Sequence, residues 1–287
     1  MEIRTATEDD LLALGRVFAV AAGYMTERYR PDQVGHVPLE PEDRVPTYRH
    51  LLATGTVFVA EEGGEPVGFS AAIVRDGVWF LSQLWVMPER HGGGLGSALL
   101  DEALAWGRGS RAFSVVASPH PAAQTLYLRA SMYPAWTQLD VTGGGAAVPD
   151  APAGMREMRE EDGGWVDDLD REVRGAARAE DHAAFREWGA TGLVLERDGS
   201  RLGYVYAWPD GKVGPAAAVR AQDVPLLIAA GRHVVGGPVT VVVPSVNWTA
   251  LRELIRLGMS PLGATTFMTS VPLGDGARYL SSGGSLG

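Results

Sequence analysis

The 287-residue chain contains no cysteine. That excludes disulfides, thiolate nucleophiles and cysteine-ligated zinc together. Lysine is almost missing as well: Lys212 stands alone, and every other basic residue is an arginine. The net charge of −10 lacks the basic face that a phosphate backbone demands, so nucleic acid is not expected as a partner. The same balance suits a small cationic or amine substrate. No apolar run approaches the roughly 20 residues of a membrane helix, so no membrane partner is expected. The acidic N-terminus, Met1-Glu2-Ile3-Arg4-Thr5-Ala6-Thr7-Glu8-Asp9-Asp10, is unlike a signal peptide; a cytoplasmic protein is the expectation. Six histidines (His36, His50, His91, His120, His182, His233) show no His-x-x-x-His or His-x-x-Glu-His spacing, and no metal site is expected. What is present is ordinary for a globular chain, with 46% hydrophobic and 21% charged residues. The length allows one large or two ordinary domains.

The most informative stretch is Leu84-Trp85-Val86-Met87-Pro88-Glu89-Arg90-His91-Gly92-Gly93-Gly94-Leu95-Gly96-Ser97-Ala98-Leu99-Leu100. An apolar run stops at a proline, a glycine loop follows, and a helix opens. This order presents several backbone N–H groups to one anion with the helix dipole behind them. Glycine permits positive φ and a close approach of phosphate to the main chain. A Walker loop is excluded, because Leu95-Gly96-Ser97 stands where Lys-Ser or Lys-Thr would be needed. A dinucleotide fingerprint matches only loosely, with Ala98 where that pattern would end. A glycine-rich turn without a ligand is the plain alternative.

Further on, Ala112-Phe113-Ser114-Val115-Val116-Ala117 reads as a buried strand. Ser118-Pro119-His120-Pro121 breaks it, and residues 122–130 read as a helix containing Gln124 and Tyr127. Alone, Tyr127 would be a half-buried helix aromatic.

Together these two blocks resemble the GNAT superfamily of acyl-CoA N-acyltransferases. Its pyrophosphate loop reads Gln/Arg-x-x-Gly-x-Gly; here the frame is His91-Gly92-Gly93-Gly94-Leu95-Gly96, with His91 in place of Gln/Arg. Its last helix carries Ala-x-x-Leu-Tyr-x-x-x-Gly-Phe; Tyr127 occupies the tyrosine position, and Ser131-Met132 replaces Gly-Phe. The resemblance implies a mixed α/β sheet flanked by helices, acetyl-CoA as co-substrate, no metal, and transfer of an acetyl group to a primary amine of a small molecule or peptide. It implies that Leu84, Trp85, Val86, His91, Gly92, Gly93, Gly94, Leu95, Gly96, Ser97, Ser118, His120 and Gln124 contact the coenzyme. The Val86 N–H would serve the developing oxyanion, and Tyr127 would protonate the leaving thiolate. The helix after the loop is expected to turn Leu95, Leu99 and Trp106 inward. The fourth strand offers Ser82-Gln83 where some relatives place a glutamate, so the general base is open among Glu27, His36 and His120. Residues 24–38 are the expected acceptor loop, and an oligomer remains possible.

The chain also repeats itself. Residues 112–120 align with 239–247 at an offset of 127, which carries Tyr127 onto Leu254, Val86 onto Val213 and Pro88 onto Pro215. Residues 59–69 align with 194–204 at an offset of 135, and Arg4 with Glu8-Asp9-Asp10 matches Arg156 with Glu160-Glu161-Asp162. Two tandem GNAT-like domains follow: 1–142 catalytic, a Gly/Pro-rich linker over 143–153, a degenerate copy over 154–275, and a mobile tail over 276–287. At the 127 offset the loop lands on Ala218-Val219-Arg220-Ala221-Gln222-Asp223, which holds no glycine. Two rival readings remain: an acyl-CoA sensor or structural partner without chemistry, and a tandem acetyltransferase of the mycothiol synthase kind, whose second domain is the active one.

Overall fold

The computed structural model describes residues 2–29, 40–144 and 148–287. Residues 30–39, most of the expected acceptor loop with His36 among them, lie outside the described residues, as do 145–147. By internal contacts the chain forms two units, residues 1–133 with 284–287, and residues 134–283.

The first unit begins with strand β1 (Glu2–Thr5) and helix α1 (Leu11–Tyr29). In α1 the apolar positions Leu11, Leu14, Val17, Phe18, Ala21 and Ala22 recur every three or four residues and are buried. Helix α2 (Val45–Thr54) leads into a meander of β2 (Gly55–Glu62), β3 (Glu65–Arg75) and β4 (Val78–Val86). Helix α3 (Leu95–Trp106), strand β5 (Ala112–Ala117) and helix α4 (Pro121–Arg129) complete it. The sheet runs β1-β2-β3-β4-β5, antiparallel except for the parallel β4–β5 pair. Tyr48 of α2 meets Phe69 of β3 edge-on at 5.3 Å, while Leu95 and Leu99 of α3 pack on Ala60 with Leu84 and Val86 against them. Trp106, expected inward, is 42% exposed. Trp79 has taken that space: its indole donates to the Ala103 carbonyl at 3.0 Å, and a Cβ on Gly107 would lie 2.0 Å from its ring.

The second unit repeats the plan. Strand β6 (Tyr133–Gly143, from Pro134 onward in this unit) precedes β7 (Met155–Glu157), α5 (Gly163–Val173) and α6 (Ala179–Glu187). Then come β8 (Thr191–Arg197), β9 (Ser200–Ala207), β10 (Lys212–Ala218), α7 (Val224–Val235), β11 (Val239–Pro244), α8 (Trp248–Arg256), β12 (Ser260–Thr269) and β13 (Tyr279–Leu280). Strands β7 to β10 form the antiparallel meander, and β11 joins β10 in parallel. The core gathers Val205, Val213, Leu227, Ile228, Val241 and Leu254. Beneath β9, the buried Asp170 accepts from Arg178 Nε at 2.7 Å and from Tyr204 OH. Burial alone would raise the Asp170 carboxyl; Arg178 and His182 instead hold it below the usual carboxylate range.

Three domain expectations need correction. Strand β6 was assigned to the first domain, but it pairs antiparallel with β11 from Gly143↔Val239 to Gln138↔Pro244, and so belongs with the second unit. The expected linker is partly anchored, with Arg232 donating to the Gly144 carbonyl at 3.0 Å and the His233 ring 2.9 Å from the Pro149 carbonyl. The tail expected to be mobile is packed: β13 pairs with β10, and Ser281 and Leu286 are buried.

The two N-termini carry one device twice. Arg4 forks onto Asp10 at 2.7 and 2.9 Å and also reaches Glu61; Arg156 forks onto Asp162 at 2.6 and 2.9 Å and reaches Glu196 at 3.1 Å. Hydrogen bonds from these arginines hold Asp10 and Asp162 at about 2, against an ordinary 3.8. A carboxyl depressed by folding stabilises the fold above its ordinary value, and that contribution disappears as the pH falls through the folded value. Acid unfolding followed by circular dichroism should therefore steepen between pH 4 and pH 2. The Arg4→Gln, Arg156→Gln double variant should lose the larger part of that dependence, the Thr7 and Arg159 N–H bonds and Arg201 keeping the rest.

Candidate functional site

Strands β4 and β5 pair only from Val78↔Ala112 to Leu81↔Val115, after which β4 continues to Val86 beside β3 only. Met87 N–H bonds the Val67 carbonyl at 2.9 Å. Antiparallel alternation then makes Phe69↔Trp85 a bonded pair and leaves Gly68↔Val86 and Ser70↔Leu84 unbonded. The N–H and C=O groups of Leu84 and Val86 consequently face away from β3, toward the side where β5 departs. Around this opening lies a cavity of about 360 Å³ within the first unit.

The glycine loop forms one wall. Gly92 has φ +81° and Gly94 φ +82°, the left-handed conformation that glycine adopts most readily, and Gly94 caps α3. Helical bonding begins with Ala98 N–H to the Gly94 carbonyl at 3.1 Å. The N–H groups of Leu95, Gly96 and Ser97 thus belong to the first turn, which has no intrahelical acceptors. Behind them stands the positive end of the α3 dipole.

Another wall is α4. Its N-cap is His120, whose Nδ1 accepts from Ala122 N–H at 3.2 Å, so the neutral ring carries its proton on Nε2. Desolvation, His91 and Arg28 lower the pKa of His120. Tyr127 is 5% exposed and lines the cavity; desolvation pushes its phenol well above the ordinary value.

Of the residues expected at this site, Leu84, Trp85, Val86, His91, Gly92, Gly94, Leu95, Gly96, Ser97, Ser118, His120 and Tyr127 all line the one cavity. Two expected residues do not. Gly93 points elsewhere, where an added Cβ would lie 3.5 Å from the Arg90 carbonyl; Gln124 Nε2 instead donates to the Ser118 carbonyl at 3.2 Å and ties the β5–α4 turn. His91 sits 3.0 Å from the Val86 carbonyl through Nε2 and meets Tyr24 and His120 edge-on at 5.6 and 5.9 Å. Tyr24 and Met25, the start of the expected acceptor loop, line it as well, while sequence reasoning missed Ala21, Arg90, Ala122, Ala123, Leu126 and Arg129. Arg90, one place before His91, was visible in the motif; Ala21 comes from α1, far away in sequence. Among the described residues the lining holds no carboxylate, whereas Arg90 and Arg129 bring positive charge into a chain of net charge −10. Of the other candidate bases, Glu27 is exposed on α1 and outside the lining.

The second unit has a different loop. Val219 N–H bonds the Leu202 carbonyl at 2.8 Å, the counterpart of Met87 to Val67, so Met87 corresponds to Val219. The 127 offset fails there: Pro215 lies within β10, and the true counterpart of the glycine loop is Arg220–Asp223, three residues shorter. It still has no glycine, and Asp223 places a carboxylate at the N-cap of α7. The offset does hold for Tyr127 and Leu254, whose carbonyls accept from Met132 and Met259 at 3.0 Å in matching turns.

Residues 23–132 match the family described as acetyltransferase (GNAT) family. No curated protein matches the sequence. Among solved structures, a candidate acetyltransferase from Pyrococcus horikoshii is 19% identical, with a TM-score of 0.78 over 97% of this chain and 92% of that one. A tandem GNAT protein from the clavulanic acid biosynthesis pathway is 17% identical, with a TM-score of 0.61 over 94% and 99%. A GCN5-related N-acetyltransferase from Sphaerobacter thermophilus is 15% identical, with a TM-score of 0.62 over 96% and 98%. At such identities these likenesses speak for the fold, a tandem GNAT architecture. No helix among the described residues is long and apolar enough to cross a membrane.

Proposed function

From the match of residues 23–132 to the acetyltransferase (GNAT) family and the geometry of the cavity, we propose that the first unit transfers an acetyl group from acetyl-CoA to a primary amine of a small molecule or peptide. The observation that carries this reading is the cavity itself. It joins a bare main chain at a helix N-terminus, two arginines in a lining without carboxylates (Arg90 paired with Glu62 outside it), a strand edge left open and a buried tyrosine. A diphosphate fits such a wall.

In this reading the N–H groups of Leu95, Gly96 and Ser97 hold the diphosphate, with Arg90 and Arg129 nearby. The Val86 N–H donates to the thioester oxygen as negative charge develops there. A neutral amine attacks the carbonyl carbon; the C–N bond forms and the C–S bond breaks. Tyr127 passes its proton to the departing sulfur, the amine nitrogen gives up one proton, and Tyr127 is reprotonated from solvent. His120 faces the cavity with Nε2–H, so as found its neutral ring is a donor. It becomes a base only by releasing the Ala122 N–H from Nδ1.

The test is thiol release from acetyl-CoA with a panel of primary amines, beside calorimetry with coenzyme A. The expected result is coenzyme binding and amine-dependent thiol release, both abolished with the first unit's site and indifferent to substitutions at Leu254. Binding without release for any amine would favour the sensor instead. A loss of activity through the Arg220–Asp223 turn would favour the arrangement with an active second domain.

A further inference from the structure

Strand β4 has a bulge. Ala71 pairs with Gln83 and Ala72 with Leu81, which leaves Ser82 without an opposite residue. A bulge re-aims neighbouring side chains, and here both Ser82 and Gln83 meet one short segment from more than two hundred residues away. Ser82 Oγ donates to the Ser285 carbonyl at 2.5 Å, and Gln83 Nε2 donates to Ser285 Oγ at 2.9 Å. That segment packs as part of the first unit, with Leu286 4% exposed. The other end of the same amide, Gln83 Oε1, accepts from Trp85 Nε1 at 2.5 Å. Trp85 lines the cavity, and Phe18 of α1 abuts its ring edge-on at 5.0 Å.

We infer that Gln83 is a positioning residue for acetyl transfer, holding the Trp85 indole at the reacting end of β4 while Ser285 holds Gln83. This rests on the proposed function of the same cavity. The amide suits the task because it accepts at one end and donates at the other, so both of its neighbours are fixed by one buried group. Gln83 is 6% exposed, which makes loss of either bond expensive. Val86, next to Trp85, presents the N–H aimed at the thioester. A ring free to turn at position 85 disturbs the approach of the amine to that strand end, while the main-chain N–H groups at the start of α3, which Gln83 does not touch, keep the diphosphate.

The experiment compares Gln83→Leu, Ser285→Ala and Ser285→Thr with the unmodified protein. Gln83→Leu should lower kcat/KM for the amine about tenfold and Ser285→Ala about threefold, on the scale of one or part of one buried hydrogen bond. Ser285→Thr keeps the hydroxyl and should restore the rate. The dissociation constant for coenzyme A should stay within about twofold throughout, since no diphosphate contact changes. A ¹⁵N-indole spectrum gives a readout independent of activity: the Trp85 Nε1–H resonance should shift and exchange faster with solvent in Gln83→Leu. An unchanged indole resonance overturns the inference, as does an amine kcat/KM unmoved in Gln83→Leu or a fall matched by equal loss of coenzyme affinity. Failure of the unmodified protein to bind coenzyme A is a separate result and overturns the functional reading beneath it.

Discussion

Tyr127→Phe should reduce kcat about a hundredfold, the lower part of the range for a positioned proton donor, while the affinity for acetyl-CoA stays near that of the unmodified protein. The ring is retained in a buried site, so packing hardly changes and only the hydroxyl is lost. Burial pushes the phenol upward, so the group is protonated at every pH at which the protein would work. The sign follows directly. A raised folded pKa keeps the acid form available as the pH increases, and Tyr127 contributes no falling alkaline limb near neutrality. Any rise of rate with pH then reports deprotonation of the amine. The variant should keep that rise and lose only its height. Steady-state kinetics across pH, with calorimetry for the coenzyme, measure both quantities; equal turnover in the two proteins would remove the acid role.

Gly94→Val should weaken coenzyme A binding about a hundredfold, an effect reached when a bare main chain is replaced by a side chain at the first turn of an anion-binding helix. Two physical terms combine. At φ +82° a β-branched residue is strained, by about 1–2 kcal/mol. In the free protein, however, a Cβ at Gly94 meets nothing within 4 Å. The strain therefore appears as a modest loss of stability, and the larger loss appears when a diphosphate must approach. Gly63, at φ +62° in the β2–β3 turn and equally open, separates these terms. Gly63→Val should carry comparable strain and leave coenzyme affinity unchanged. If the two variants bind alike in titration calorimetry, the loop is an ordinary turn.

Much of this site is legible in the sequence because its parts are local. A helix whose first turn lies beside three consecutive glycines is one contiguous signal, and Gly92, Gly94, Leu95, Gly96 and Ser97 all line the cavity. Tyr127 is legible through its position in α4. What local signals missed came from elsewhere in the chain. Ala21 reaches the cavity because α1 packs on the sheet, and Ser285 reaches Gln83 across a separation that no periodicity encodes. The repeat misled in one place for a related reason. Successive shortenings of the second copy lower the offset from 135 at Val67–Leu202 to 132 at Met87–Val219 and 127 at β5–β11, so Pro88 and Pro215 match by coincidence, and only the bonds Met87–Val67 and Val219–Leu202 show the true correspondence.

The amino-acid order alone determined the meander of each half, the duplication, the glycine-capped helix and most of the side chains that line the cavity. These depend on alternation, helical spacing and backbone freedom, which act over a few residues. The tertiary structure decided that β6 joins the second unit, that Trp79 rather than Trp106 fills the space behind α3, and that a distant serine braces the fourth strand. Each of those outcomes is a competition between remote groups for the same volume or the same hydrogen bond, and proximity in space settles it.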